Sequence, residues 1–395
     1  MKKILLSIMT VIGLTLPALA TNPITPAMRS LTIAPDAHAA GMGDMGAATN
    51  PDLNSQHWNP SKYAFMESQG GLTVNYTPWL TKLVNDINLA YIAGYYNIGE
   101  MAGTVSGSFR YFSMGEVQLV DYTGTAFQEA HPNEWAIDVA YSRKLHEYLS
   151  MAVALRFLYS DLNNGVNSSA NNNSTEMHPA WTMAADVSLY YRQPIELPMG
   201  TSHFNLGFTL KNLGGKMNYA DDGSSNFIPG SMNIGVGYEL PCDKYNFLTF
   251  NVEANKLLVP SRNSKYTEGF DPNDETTWQM SQVEYSNLNS AKGWFQSFAD
   301  APGGVAEEFR EVRWGAGIEY SYNHQFFARA GYSYENYYKG NRNYVTFGAG
   351  FHLSIVTLDV SYCVGLAASN PLDQTMRFTL GFDLAGIEDL VNNKK

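Results

Sequence analysis

The sequence predicts an all-β membrane protein: a transmembrane 14-stranded antiparallel β-barrel with an N-terminal hatch segment. Three observations predict it. The 395 residues are 13% aromatic and include 34 glycines, yet only 16% are charged, well below the quarter usual in soluble domains. No stretch after the N-terminus supplies the roughly 18 consecutive apolar residues of a membrane helix. From residue 68 onward, apolar and polar residues alternate with period two in segments of about ten, the length of a barrel strand.

The elements follow in order. Residues 1–20 read as a secretory signal peptide, with Lys2 and Lys3 as the basic start, an apolar run from Ile4 to Leu16 and the small-x-small pattern Ala18-Leu19-Ala20. The run is too short for a membrane anchor, and the expected location is the outer membrane. Residues 21–67 do not alternate. They carry Gly41, Gly43, Gly46, Pro51 and Pro60 among polar residues, and are expected to fold into the barrel mouth as a hatch. Residues 68–384 form the barrel, and the polar tail 385–395 is expected to be periplasmic.

Strands are expected at 68–79, 86–96, 101–113, 134–146, 149–161, 181–193, 202–212, 229–240, 246–258, 310–322, 325–335, 342–353, 354–364 and 374–384. In 376–384, Met376, Phe378, Leu380, Phe382 and Leu384 oppose Arg377, Thr379 and Asp383. One face suits lipid and the other a polar lumen, because a cation on the lipid side costs about 2–4 kcal/mol at mid-bilayer. With the first strand running outward, connections after even strands are short, including one at 194–201. Four of those after odd strands are longer: 114–133, 162–180, 213–228 and 259–309. That is the asymmetry of periplasmic turns and external loops.

The predicted lumen carries six cations, Arg110, Arg156, Lys211, Arg313, Arg329 and Arg377. Six anions match them: Asp138, Asp186, Glu253, Glu319, Asp359 and Asp383. This balance reads as an internal salt-bridge network rather than a selective pore, which favours rings of one sign. Cys242 and Cys363 are expected at opposite ends of the barrel, too far apart to bridge.

Several function classes are excluded. A net charge of −12 argues against nucleic-acid binding, which needs a clustered basic face. Gly41-Met42-Gly43-Asp44-Met45-Gly46 matches a dinucleotide fingerprint literally but lacks the strand–helix context that gives it meaning. The glycines are expected to permit tight turns. No histidine or cysteine spacing suggests zinc, no Gly-x-Ser-x-Gly elbow is present, and Asp271–Glu275 lacks the glycine and distal Glu of a calcium loop. His352 and Asp359 are expected to face the lumen as a structural rather than a catalytic pair. No catalytic residue, metal or cofactor is expected.

Loop 259–309 is too long to be idle on a compact barrel. Across 259–308 it carries three basic and eight acidic side chains. Within it, Trp294, Phe295 and Phe298, followed by Asp300, fall on one side of a predicted short helix. They read either as a partner-binding anchor or as a local core folded over the rim.

The segment AAGMGDMGAATNPDLNSQHWNP (39–60), with Gly41, Gly43, Asp44 and Gly46 at its start and Trp58, Asn59 and Pro60 at its close, resembles the hatch of FadL-like outer-membrane barrels. WFQSFADAPGG (294–304), the strand count and the length resemble more specifically the PorV branch, the outer-membrane component of the type IX secretion system of Bacteroidetes. The resemblance implies a non-enzymatic carrier in the outer-membrane lipid. It implies as partners the C-terminal signal domains of secreted cargo, a translocon barrel and a surface complex containing a sortase-like protease. The alternative is a FadL-type channel for hydrophobic small molecules.

Overall fold

The structure is a computed structural model that describes residues 23–82, 84, 86–99, 101–120, 126–164, 177–353, 355–366, 370 and 372–384. The expected signal peptide and the tail 385–395 lie outside the described residues. Fourteen antiparallel strands close on themselves. They are β1 (Gly70–Pro78), β2 (Ile87–Gly99), β3 (Gly103–Met114), β4 (Asn133–His146), β5 (Leu149–Asp161), β6 (Ala180–Leu197), β7 (Gly200–Gly214), β8 (Ser231–Pro241), β9 (Asn246–Leu257), β10 (Arg313–Tyr322), β11 (Phe326–Tyr334), β12 (Tyr344–His352), β13 (Val356–Gly365) and β14 (Met376–Asp383). The seam is the β1–β14 pairing, with Thr73 opposite Gly381 and Asn75 opposite Thr379. Closure leaves no unpaired sheet edge, the condition for a sheet to cross hydrocarbon.

Each strand inverts the burial of a soluble protein. In β4, Val139 is 57% exposed beside Asp138 at 5%. In β1, Leu72, Val74 and Tyr76 point out while Thr73, Asn75 and Thr77 are buried. A period of two puts alternate side chains on opposite faces, so the apolar set meets lipid and the polar set meets the interior. None of the described helices is long and apolar enough to cross a membrane.

One connection differs from expectation. Pairing of β6 with β7 runs on through Pro194–His203 to Leu197–Gly200, so the expected turn at 194–201 shrinks to two residues. Proline is tolerated where its missing N–H is not needed by the ladder. Two long connections also contain small ribbons, Val117–Val120 with Ala126–Ala130 and Lys216–Met217 with Asn226–Phe227.

The N-terminal segment lies inside the cylinder and bonds to inward-facing groups around its circumference. The Ala37 amide donates to Thr379 on β14 at 2.9 Å and the Gly43 amide to Thr346 on β12 at 2.9 Å. The amides of Gly46 and Ala47 donate to Glu253 on β9 at 3.0 and 2.8 Å. Gln56 donates to Asp138 on β4 at 2.6 Å, and Tyr190 on β6 donates to the Thr49 carbonyl at 3.1 Å. These bonds satisfy backbone groups that a non-helical, non-sheet segment would otherwise bury unpaired. Ala34, Ala39, Ala40 and Trp58 form its own small apolar cluster.

The segment also changes the expected charge network. Arg156 is clasped between Asp138 and Asp186, each at 2.9 Å. Arg329 is clasped between Glu319 and Asp359, each at 2.5 Å. The other predicted cations do not join a balanced set. Arg110 donates to the carbonyls of Ser30 and Ile33, Arg377 donates to the Ala34 carbonyl and sits 3.7 Å from Asp44, and Lys211 and Arg313 have no carboxylate within ion-pair distance among the described residues. The physical reason is that polar backbone from 28–65 competes with carboxylates for buried guanidinium donors. Cys242 is exposed, Cys363 is buried, and both are free thiols.

Candidate functional site

Two regions concentrate the candidate residues: the interior segment and the long loop 258–312. In the interior, Gly41, Gly43, Asp44 and Gly46 of the glycine motif each have a steric or bonding task. Gly41 sits where an added Cβ would come 3.0 Å from the Gly348 backbone of β12. Gly43 has φ +85°, and a Cβ there would approach the Tyr332 backbone of β11 at 2.9 Å. That backbone region favours glycine. Asp44, itself at φ 58°, accepts from the Tyr344 hydroxyl. Gly46 faces the Trp58 ring so closely that any side chain would penetrate it.

The close of the motif is equally structural. Trp58 Nε1 donates to Asp36 at 2.6 Å. Asn59 Nδ2 donates to the carbonyls of Ala47 and Leu189, at 2.8 and 3.1 Å. Its Oδ1 accepts from the Ser61 amide at 3.2 Å, capping the 3-10 helix Pro60–Phe65 with Pro60 at its first position. The motif thus ties the segment to itself and to the wall. His352 lies 3.5 Å from Asp359, which already holds Arg329, so that pair belongs to the buried ionic chain.

The long loop carries three short α-helices, Gln282–Asn287, Ser290–Gln296 and Val305–Arg310. Ser281 and Asn289 cap the first two, accepting from the amides of Glu284 and Ala291. Phe227, Val259, Met280 and Tyr285 form a core beneath them. Gly293 rests on the Phe227 ring, at a spacing no larger residue could keep. Arg262 stacks over Tyr285 at 4.7 Å.

Ion pairs bind the last helix to the rim. Lys256, at the end of β9, meets Glu308 at 2.9 Å and Glu311 at 2.7 Å. Lys339 meets Glu307 at 2.6 Å and Glu311 at 3.0 Å. Glu307 and Glu308 also lie in the first turn of Val305–Arg310, where the helix dipole favours them. Asp300, Glu308 and Glu311 are close enough to hold a metal ion, but the ammonium groups of the two lysines already occupy that charge.

With its acidic side pinned inward, the helix turns Val305 (73% exposed) and Phe309 (68% exposed) to solvent. They join Phe298, Ala299 and Val312 and the stems of Lys256 and Lys265 around a groove of about 280 Å³. Phe295, 78% exposed, stands on the neighbouring helix.

Of the predicted anchors, Phe295 and Phe298 are therefore exposed and Trp294 is half-buried. Asp300 lies apart from these three on the inner side of the loop. It is 1% exposed, accepts from the Ser261 amide at 2.6 Å, and faces inward because that amide would otherwise lack an acceptor. Burial, then the carboxylates of Glu311 and Glu308, push its carboxyl up to about 8. Val305 and Phe309 were not among the predicted residues, although their i, i+4 spacing is a helical-face signal.

The profile of the family described as "Type IX secretion system protein PorV" matches residues 17–264, well over half the chain. Strands β1–β9 fall within the match, and the groove of the long loop falls mainly beyond it. No curated protein matches the sequence. Solved structures similar in architecture include the toluene transporter TbuX of Ralstonia pickettii, at 10% identity and TM-score 0.46, covering 88% of this chain and 97% of the other. A Pseudomonas aeruginosa FadL homologue is similar at 10% identity and TM-score 0.41, covering 92% and 100%. The chain belongs to the PorV family of type IX secretion system proteins, as a closed 14-stranded outer-membrane barrel.

Proposed function

We propose that this barrel receives secreted proteins through their C-terminal signal domains, beside the translocon barrel, and hands them to the sortase-like complex at the cell surface. The apolar groove bounded by Phe298, Val305 and Phe309 is the docking surface, and the observation that carries the reading is its exposure on a loop otherwise tied down by ion pairs. A rigid apolar face set among charged residues suits a partner that buries an aliphatic or aromatic anchor. The segment 21–67 acts as a fixed hatch, since its bonds reach wall strands on every side.

A passage for hydrophobic molecules would need a continuous apolar channel. Two interior cavities, of about 60 and 30 Å³, are lined largely by charged and amide side chains, which favours the carrier reading.

The test is affinity purification from mild detergent of the wild type and of a Phe295→Ala/Phe298→Ala/Phe309→Ala variant. Cargo bearing the signal domain should co-purify with the wild type and fall at least tenfold with the variant, while heat-modifiable gel migration of the barrel is unchanged. Equal recovery of cargo from both would overturn the reading.

A further inference from the structure

We propose that the cavity beneath the long loop is a binding site for one small oxyanion, a carboxylate or phosphate-type group. The cavity measures about 60 Å³ and lies between the N-terminal segment and the walls of β7–β10. A water molecule needs roughly 10–15 Å³ of such space, so the ligand has about four or five heavy atoms. A lipid or a folded peptide does not fit.

Three cations face this space or its outer continuation with no side-chain hydrogen bond or ion pair to any described residue, Glu253 and Glu335 acting on them only at longer range. Lys211 is 8% exposed. It makes no hydrogen bond or ion pair with any described residue, only an approach to the Trp58 ring at 5.6 Å. Arg313 is half-buried at the start of β10 and makes none with any described residue. Arg29 lines the adjoining space of about 30 Å³ and likewise makes none with its side chain.

The carboxylates nearby are already engaged. Glu253 accepts the amides of Gly46 and Ala47, Glu335 is held by both ends of the Arg342 guanidinium at 2.8 and 2.7 Å, and Glu311 is held by Lys256 and Lys339. Cationic donors with no acceptor of their own among the described residues therefore face a small volume whose lining carboxylates, Glu253, Glu311 and Glu335, are held by other groups. Buried cations are costly unless paired, and an oxyanion between Lys211 and Arg313 would pair them.

The backbone is shaped to deliver Lys211 there. The β6–β7 register slips between Ala185 and Val187, and Asn212 takes φ 55°. Bulges of this kind re-aim side chains. Here both Lys211 and Asn212 turn inward. Asp186, on the facing strand, spends its oxygens on the Asn212 amide at 2.6 Å and on Arg156 at 2.9 Å, so it makes no direct ion pair with Lys211.

The site is separate from the docking groove, and each reading can fail alone. The test is isothermal titration calorimetry on the purified barrel in detergent, in chloride buffer of matched ionic strength. One arm titrates sodium phosphate and the other sodium acetate. Saturable binding at one site per barrel is expected in at least one arm, phosphate alone assigning a tetrahedral ion and acetate alone a planar carboxylate. Lys211→Met and Arg313→Gln should each weaken it at least tenfold, and Lys244→Met, in a distant exposed turn, should leave it unchanged. Heats in the wild type no different from added chloride, or binding untouched by both substitutions, would overturn the proposal. The wild-type titration decides the matter even where one variant does not fold.

Discussion

His38 and Glu319 are 281 residues apart in sequence, and their side chains meet at 3.0 Å inside the barrel. The other ring nitrogen of His38 lies 2.7 Å from Asp52, while Glu319 also binds Arg329, which binds Asp359. A buried ionic chain thus runs from the N-terminal segment through β10 and β11 to β13.

Arg329 is the central cation of that chain. Arg329→Met leaves Glu319 and Asp359 buried with only histidine partners, and stranding a buried charge costs about 3–5 kcal/mol. The midpoint of urea unfolding in detergent, read by heat-modifiable migration, should fall accordingly. An unchanged midpoint would show that the chain contributes nothing to holding segment and wall together.

Gly46 tests the packing of the interior motif. An alanine there collides with the Trp58 ring, and overpacking of a filled interior costs about 1–3 kcal/mol. Thermal unfolding of Gly46→Ala should show a lowered transition, and Gly46→Ala combined with Trp58→Leu should recover part of it. A double variant no more stable than the single one contradicts this contact as the cause.

Val139 tests the lipid face. It sits midway along β4 and points outward. Val139→Arg should destabilise insertion into lipid vesicles by about 2–4 kcal/mol. Folding yields equal to the wild type would place this face against something other than hydrocarbon.

Asp300 makes the long loop sensitive to pH. Its carboxyl ordinarily titrates near 3.8 and, in the packed loop, at about 8. Between those values the packed loop holds a proton that an opened loop has lost, so packing weakens as pH rises from about 4 to about 8. Protection of loop amides in hydrogen exchange, corrected for intrinsic rates, should fall by up to about tenfold per pH unit over that range. Asp300→Asn, which cannot ionise, should flatten the dependence. An equally steep decline in that variant would assign the effect to another group.

Strand number and strand faces were legible because lipid imposes a strict rule. Every second residue of β1, β4 and β14 must be apolar, and period two survives in a single sequence without any knowledge of neighbours. The glycine motif was legible as structural for a similar local reason, since Gly43 needs a positive φ. The exposed pair Val305 and Phe309 was harder to read. Their helix is six residues long, too short for a periodic signal to stand out.

By itself, the sequence determined the barrel: strand count, lipid-facing side chains and the placement of long loops all follow from local alternation. Only the tertiary structure decided which charges meet. Arg156 and Arg329 found paired acids, Arg110 and Arg377 found carbonyls, and Lys211 and Arg313 bond directly to neither among the described residues. The reason is that a polar interior segment offers backbone partners from residues 28–65 to side chains hundreds of positions away, and such pairings depend on distances in space that no spacing along the chain encodes.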